Sequence, residues 1–566
     1  MKFRTALLGA ACTFAMAPAA FAERGTDGEV KLTFPQAVSI MNPYLSAGTK
    51  DVYAASLVVE PLAGFDDQGV LVPKLVSEIP TLENGGISAD LTSITWKLIP
   101  GLKWSDGSPV TADDAVFTAA YCMDPAGGCA QATKYDGVAS VVAVDANTIK
   151  VTFTAPKPNP YTAFVGAQAP LLQKAQFAAC QGAAAPTCTD ANNMPIGTGP
   201  FKVTGFTVND TVSFEANPNY RDPAKPAFAT AMIKGGGDAE SSARAVMQTG
   251  EFDYAWNTQI PPDSQASMIA AGKGEFVVAF GTLVERIEIN LTDPSADLAE
   301  GERSTIKHPH PILSDIRVRT ALSKAIDRSI LVDVGYGAAG APTCNVIPAP
   351  DAWVSDNTGC LKQDIEGAKA LLDEAGWVVG ADGIREKDGK KLHILYQTTV
   401  NPVRQDFQAL IKDWWTEIGV DVELKAIDPS VFFGGDAGSP DTYQKFYADV
   451  EMFANNSDMP DPETYLGQYQ CSKIPGPDTQ WQGENMNRYC DPAYEAKFAE
   501  LTKTRDMAAR QALAKELNEM VTKGTMTVIP LVHRGALSAH ANSLGGVLIN
   551  AWDSQMWNIA DWYRVK

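Results

Sequence analysis

Histidine is scarce, five in 566 residues, and the usual catalytic constellations are missing with it. There is no H-E-x-x-H, no G-x-S-x-G and no Walker-type loop, so a zinc-peptidase helix, a hydrolase nucleophile elbow and a nucleotide cradle all lack their residues. No C-x-x-C occurs, which removes the commonest zinc spacing. Beyond residue 22 no apolar run approaches the ~20 residues needed to span a bilayer. Positive charge is also short: 46 Lys and Arg stand against 67 Asp and Glu, for a net charge of −21. Phosphate backbones and anionic lipid are repelled by such a surface, so nucleic acid and membrane-surface partners are not expected. Acids are abundant, but no spacing among them suggests a glycosidase pair.

What is present describes an exported, multidomain chain. The length exceeds what one hydrophobic core supports. Residues 1–22 have a basic start, an apolar run from Ala6 to Ala17 and a small-x-small end at Ala20-Phe21-Ala22, the pattern of a cleavable secretory signal that also contains Cys12. Export permits disulfides. The remaining cysteines formally allow on the order of 100 pairings, and the expectation is that neighbours join: Cys122 with Cys129, Cys180 with Cys188, Cys344 with Cys360, and Cys471 with Cys490.

The most telling stretch is Thr95 to Tyr121, TWKLIPGLKWSDGSPVTADDAVFTAAY. Alternation in Trp96–Ile99 and Leu102–Trp104 across Pro100-Gly101 predicts a hairpin. Thr111 with Asp114 has capping-box spacing and predicts a helix from Ala112. Further along stand Gly64 to Gly69, a turn of D-x-x-G type, then Gly197-Thr198-Gly199-Pro200-Phe201, Asn217 to Tyr220 (N-P-x-Y), and Val528 to Val532 around Ile529-Pro530-Leu531. Ala54 to Leu62, Ile316 to Leu331, Arg404 to Ile418 and Ala493 to Val521 have helical spacing, while Val30–Phe34, Thr148–Phe153, Leu392–Gln397 and Val420–Ala426 look like strands. Together these segments, in this order, resemble the family 5 extracytoplasmic solute-binding proteins, the peptide, nickel and oligosaccharide receptors of ABC importers.

That resemblance implies an α/β periplasmic binding protein: two mixed-sheet lobes with a hinge and an extra small subdomain. The expected division is 1–22 signal, 23–65 lobe I, 66–194 extra subdomain, 195–287 lobe I, 288–524 lobe II and 525–566 returning to lobe I. It implies a monomeric, non-enzymatic receptor in the periplasm, without cofactor or resident metal, whose partners are a peptide-like solute and the permease subunits of an inner-membrane importer. Receptors for nickel, haem, an opine or an oligosaccharide remain alternatives, and an exported hydrolase is the rival in another class. His308-Pro-His310 is the single close histidine pair, set in what reads as an exposed linker.

The segment Asp449 to Leu466, DVEMFANNSDMPDPETYL, drives a strand straight into polar residues and turns, as ligand sites at sheet ends do. The resemblance puts Asp458 on a ligand ammonium, with Asn455 and Asn456 beside it, and Ser46, Ala47 and Gly48 on the cleft lip. Dipeptide receptors of this family carry an arginine for the ligand carboxylate within the segment matching Gln397 to Pro402. This chain has Thr398 there, leaving Arg385, Arg404 or Arg488 as substitutes between which sequence does not choose. Trp481, inside the Cys471–Cys490 loop, stacks on a ligand side chain or merely packs.

Overall fold

The computed structural model describes residues 24–299, 301–457 and 459–565. Residues 1–22 with Cys12, and Asp458, lie outside the described residues. Two large mixed sheets dominate. A seven-stranded sheet runs in the order Gly274–Ala279, Ala536–Ala541, Tyr254–Ala255, Glu29–Phe34, Thr230–Gly235, Thr211–Ala216, Phe201–Thr207. A six-stranded sheet runs Gly340–Pro342, Val528–Arg534, Val284–Ile289, Val450–Asn455, His393–Thr399, Asp421–Ile427. Each sheet mixes parallel and antiparallel neighbours, and helices cover the apolar faces.

Local sequence explains the covering helices. Pro402–Glu417 begins where Asn401 accepts from the Arg404 amide and Pro402 fills the first helical position, where its missing N–H costs nothing. Val403, Phe407, Ile411 and Trp415 then recur at four-residue spacing and bury on the His393–Thr399 strand side. Ala112–Met123 begins as expected, with the Asp114 carboxylate accepting from the Thr111 amide at 2.9 Å.

Several expected elements come out differently. Ile316 to Leu331 is two helices, Ile316–Lys324 and Arg328–Gly335, because the Asp327 carboxylate accepts from the Ser329 and Ile330 amides and starts a new helix. Ala493 to Val521 likewise splits, Asp506 capping Met507–Glu519. Ala54 to Leu62 is not a helix; the helix there is Thr49–Ala55. The Pro100-Gly101 hairpin does not form either. Ser93–Lys97 pairs with Thr148–Phe153 in a three-stranded sheet, while Leu102 and Trp104 accept from or donate to Val110 and Ser108 in a turn of their own. All four apolar side chains, Trp96, Leu98, Leu102 and Trp104, are buried together, so the alternation reported burial and not pairing.

The cysteines join as neighbours, with Cα–Cα separations of 5.1 Å (Cys122–Cys129), 5.7 Å (Cys180–Cys188), 5.7 Å (Cys344–Cys360) and 4.7 Å (Cys471–Cys490). Among the described residues, no helix is long and apolar enough to cross a membrane.

The chain changes sheets twice in a way that matters for a site. Gly274–Ala279 belongs to the seven-stranded sheet and Val284–Ile289 to the six-stranded one; Val528–Arg534 and Ala536–Ala541 make the return. Changeovers therefore fall at 280–283 and 535, near the expected divisions at 288 and 525. Gly281 and Gly535 occupy them, and a side chain at Gly281 would come within 2.6 Å of the Ala551 carbonyl.

Candidate functional site

A cleft of about 670 Å³ opens between the two sheets, and both changeover segments line it through Ala279, Gly281, Leu283, Arg534 and Ala536. Its walls are aromatic and come from opposite sides. Phe433, Tyr443 and Phe453 form one wall, with ring centroids 5.4 to 6.1 Å apart. Tyr53 and Trp256 form the other, edge to face at 5.8 Å. Such surfaces accept apolar or flat groups without fixing their identity.

The strand Val450–Asn455 delivers its end into this cleft. Asn455 and Asn456 line it, the Asn455 amide donating to Gln468 at 3.2 Å. Ser457 is held to the changeover: its amide donates to the Thr282 hydroxyl and its carbonyl accepts from it, both at 2.7 Å. Ala47 and Gly48 also line the cleft. Ser46 does not; its hydroxyl is spent on Asp51 at 2.7 Å and its carbonyl on Gln131 at 3.0 Å.

Two other expected residues are elsewhere. Thr398 is fully buried between strands, its hydroxyl donating to the Met452 carbonyl at 2.6 Å, because the segment is a central strand. Trp481 packs edge to face on Tyr447 at 5.8 Å and is not part of the cleft lining. Asp461 caps and pairs: it accepts from the Glu463 amide and from Arg510 at 2.8 Å.

Of the substitute arginines, one reaches the cleft. Arg385 is committed to Asp373 and to the Trp377 and Ile418 carbonyls, and Arg488 to the Ser304, Gln444 and Lys445 carbonyls. Arg404 lines the cleft and donates to Glu285 at 2.7 Å. Sequence reasoning missed its companion, Arg534, at the end of the Ile-Pro-Leu strand, which lies 4.0 Å from the same carboxylate. Burial acts to raise the Glu285 carboxyl pKa, but the Arg404 and Arg534 charges outweigh it and leave the group below its ordinary value. The signal for Arg534 was available: it is a charged residue ending a strand that, His533 apart, is apolar.

The cleft is bridged by contacts between the small subdomain and the six-stranded lobe. Lys473 pairs with Asp136 at 2.8 Å, and the Thr133 hydroxyl donates to Glu484 at 2.9 Å. Burial pushes the Glu484 carboxyl up to about 7, with Lys473 and the Thr133 hydrogen bond opposing. The two histidines differ: His308 is part-exposed, its Nε2 3.4 Å from Glu302. His310 is buried, its Nδ1 accepting from the Ile312 and Leu313 amides and its Nε2 facing Asp449 at 2.8 Å. Among the described residues no group of three or more His, Cys, Asp or Glu is placed to hold a metal ion.

Residues 71–476 match the model of the bacterial extracellular solute-binding proteins, family 5, middle region. The chain belongs to that family. It is 26% identical over 483 residues to protein XP55 of Streptomyces lividans, covering 85% of this chain and 79% of that one. It is 24% identical over 479 residues to a putative ABC transporter peptide-binding protein of Brucella ovis, covering 83% and 81%. Among solved structures, the fold is similar to the oligopeptide-binding protein AppA of Bacillus subtilis in complex with a nonapeptide (TM-score 0.81, 19% identity, covering 96% of this chain and 100% of that one). It is similar also to NikZ of Campylobacter jejuni in complex with Ni(L-His) (TM-score 0.79, 21% identity, covering 95% and 99%). The two-lobed architecture of this solute-binding family is thus the fold of this chain.

Proposed function

We propose that this family 5 protein captures a peptide-like, amine-bearing solute in the inter-lobe cleft and delivers it unchanged to the permease of an ABC importer. One observation carries the reading: a cleft walled by aromatics from both lobes and floored by both sheet changeovers, so that opening and closing about 280–283 and 535 would admit and enclose a small molecule. Asn455, Asn456, Ala47 and Gly48 supply polar and backbone groups for an extended ligand, and Asp458, the residue that follows Ser457 in the sequence, is assigned to its ammonium on the family resemblance. Lobe I comprises residues 23–283 and 535–566, with 66–194 as its subdomain, and lobe II comprises 284–534. Residues 1–22 direct export to the periplasm, where the mature chain works as a monomer.

The curated peptide-binding relative supports the peptide reading over a nickel one, and His310 is already engaged within the protein. Mass spectrometry of the solute released on denaturing the purified protein tests the proposal. An amine-bearing solute recovered intact is the expected result; a cleaved peptide, or a metal complex without an amine, overturns it.

A further inference from the structure

Two disulfide-anchored segments meet across the cleft, one from each side. The Cys471–Cys490 loop carries Lys473 and Glu484, and the stretch just after Cys129 carries Thr133, Lys134 and Asp136. Each is tied to its own side. The Ala130 amide donates to the Tyr44 carbonyl at 2.8 Å, and Gln131 donates to the Pro43 and Ser46 carbonyls at 3.2 and 3.0 Å, which joins that stretch to lobe I. In the loop, the Glu484 and Asn485 amides both donate to the Lys473 carbonyl at 3.0 Å, so Lys473 and Glu484 form one unit on lobe II.

The meeting is thin. Thr133 donates to Glu484 at 2.9 Å and Lys473 pairs with Asp136 at 2.8 Å, and behind this bridge lies a second cavity of about 350 Å³ that Thr133, Asp136 and Lys473 also line. With space on both sides, parting the lobes lets water onto the Glu484 carboxyl. In the bridged form burial pushes that carboxyl up to about 7, the Lys473 charge and the Thr133 hydrogen bond opposing, Asp136 adding to the rise and Lys134 opposing. Tyr443 faces it from lobe II, and burial keeps that phenol protonated. Burial is the largest of these effects and the one that opening removes, so the open form holds the proton less tightly.

Resting on the receptor reading above, we propose that Glu484 is a proton-operated latch: closing the lobes over a solute takes up a proton from solvent at this carboxyl, and losing it frees the two segments to part. The sign follows from linkage. A carboxyl whose proton affinity is higher in the closed form favours closure fully below the ordinary carboxyl value, and that advantage is lost as pH rises through about 7. The receptor therefore grips its solute in acid and loosens toward neutrality.

The probe is tryptone, whose amines stay mostly protonated at both about pH 5.5 and about pH 7.5. Purified full-length mature protein is dialysed against graded tryptone at each pH, and mass spectrometry of the denatured protein counts the solute retained. The tryptone concentration for half-saturation is expected to rise about tenfold or more from the lower pH to the higher. In Glu484→Gln, whose amide cannot titrate, the rise shrinks to about twofold or less. Lys473→Met removes a charge that opposes the proton, so the midpoint of the pH dependence moves up by about one unit. A flat wild-type profile with solute retained overturns the latch and leaves the receptor reading standing, whereas retention at neither pH overturns both. A full tenfold rise in Glu484→Gln, or an unmoved midpoint in Lys473→Met, also overturns the latch. Thermal unfolding checks that each variant folds, and Lys473→Met decides the question if Glu484→Gln does not.

Discussion

Neighbouring residues Glu285 and Arg286 project from opposite faces of one strand and sit in opposite kinds of charge imbalance. On the helix-covered face, Glu285 answers two arginines, Arg404 and Arg534. On the other, Arg286 pairs with Glu288 at 2.5 Å, while Glu451 stands near as a second acid, bonded by the Gln397 amide at 2.9 Å. The surplus acid has a remedy within the protein. Burial drives the Glu451 carboxyl well above its ordinary value, the Gln397 hydrogen bond opposing and Glu288 reinforcing, so it keeps its proton. A surplus arginine has no such escape, so one cluster is neutral on its own and the other, among the described residues, keeps a net positive charge. The neutral cluster lies under the aromatic wall, with Arg286 over the Phe453 ring and bonded to Tyr465; the positive one faces the cleft.

The largest effect that separates the two clusters comes from Glu285→Gln. It leaves two buried arginines with no anion, and a loss of about 3–5 kcal/mol in urea unfolding is expected. Because the Glu285 pKa is lowered, its contribution is present above the ordinary carboxyl value and fades as pH falls through the depressed one. A chemical-denaturation series that finds Glu285→Gln as stable as wild type breaks the comparison.

Glu484 sharpens the comparison at the cleft bridge. Its raised pKa means that its contribution to stability is complete below the ordinary carboxyl value and is lost as pH rises through about 7. Wild-type unfolding temperature should therefore fall between about pH 5 and 8 by an increment that Glu484→Gln abolishes. An identical pH profile in the two proteins refutes the assignment. The smallest effect belongs to Glu451→Gln. Substituting a neutral amide for an already protonated acid should change unfolding free energy by about 0.5 kcal/mol or less at neutral pH. A loss as large as that of Glu285→Gln would show Glu451 ionised and erase the distinction between the faces.

The helix start at Thr111 was readable, since the cap and its partner Asp114 are three residues apart, whereas Asn401 caps a helix that apolar spacing alone started two residues late. The same rule, applied to Asp327 and Asp506, would have split two helices that apolar spacing alone joined. Strand partners were not readable: Trp96 pairs into a strand about fifty residues downstream, and nothing local to Pro100-Gly101 reveals that. In the cleft, Asn455 and Asn456 follow the strand-to-turn pattern, while Ala47 and Gly48 came only from the family resemblance. Thr398 and Trp481 lie outside the cleft lining, and a residue's place in a strand or loop does not tell which side of the sheet it faces.

Local motifs by themselves determined the resemblance to the extracytoplasmic solute-binding family and the helix cap at Thr111, because each depends on residues close in the chain. Only the tertiary structure decided that Arg404 and Arg534, 130 positions apart, share one carboxylate at the cleft floor. A net charge of −21 gives no hint of that local positive surplus, since a buried field is set by the nearest few ångströms and not by the sum over the chain.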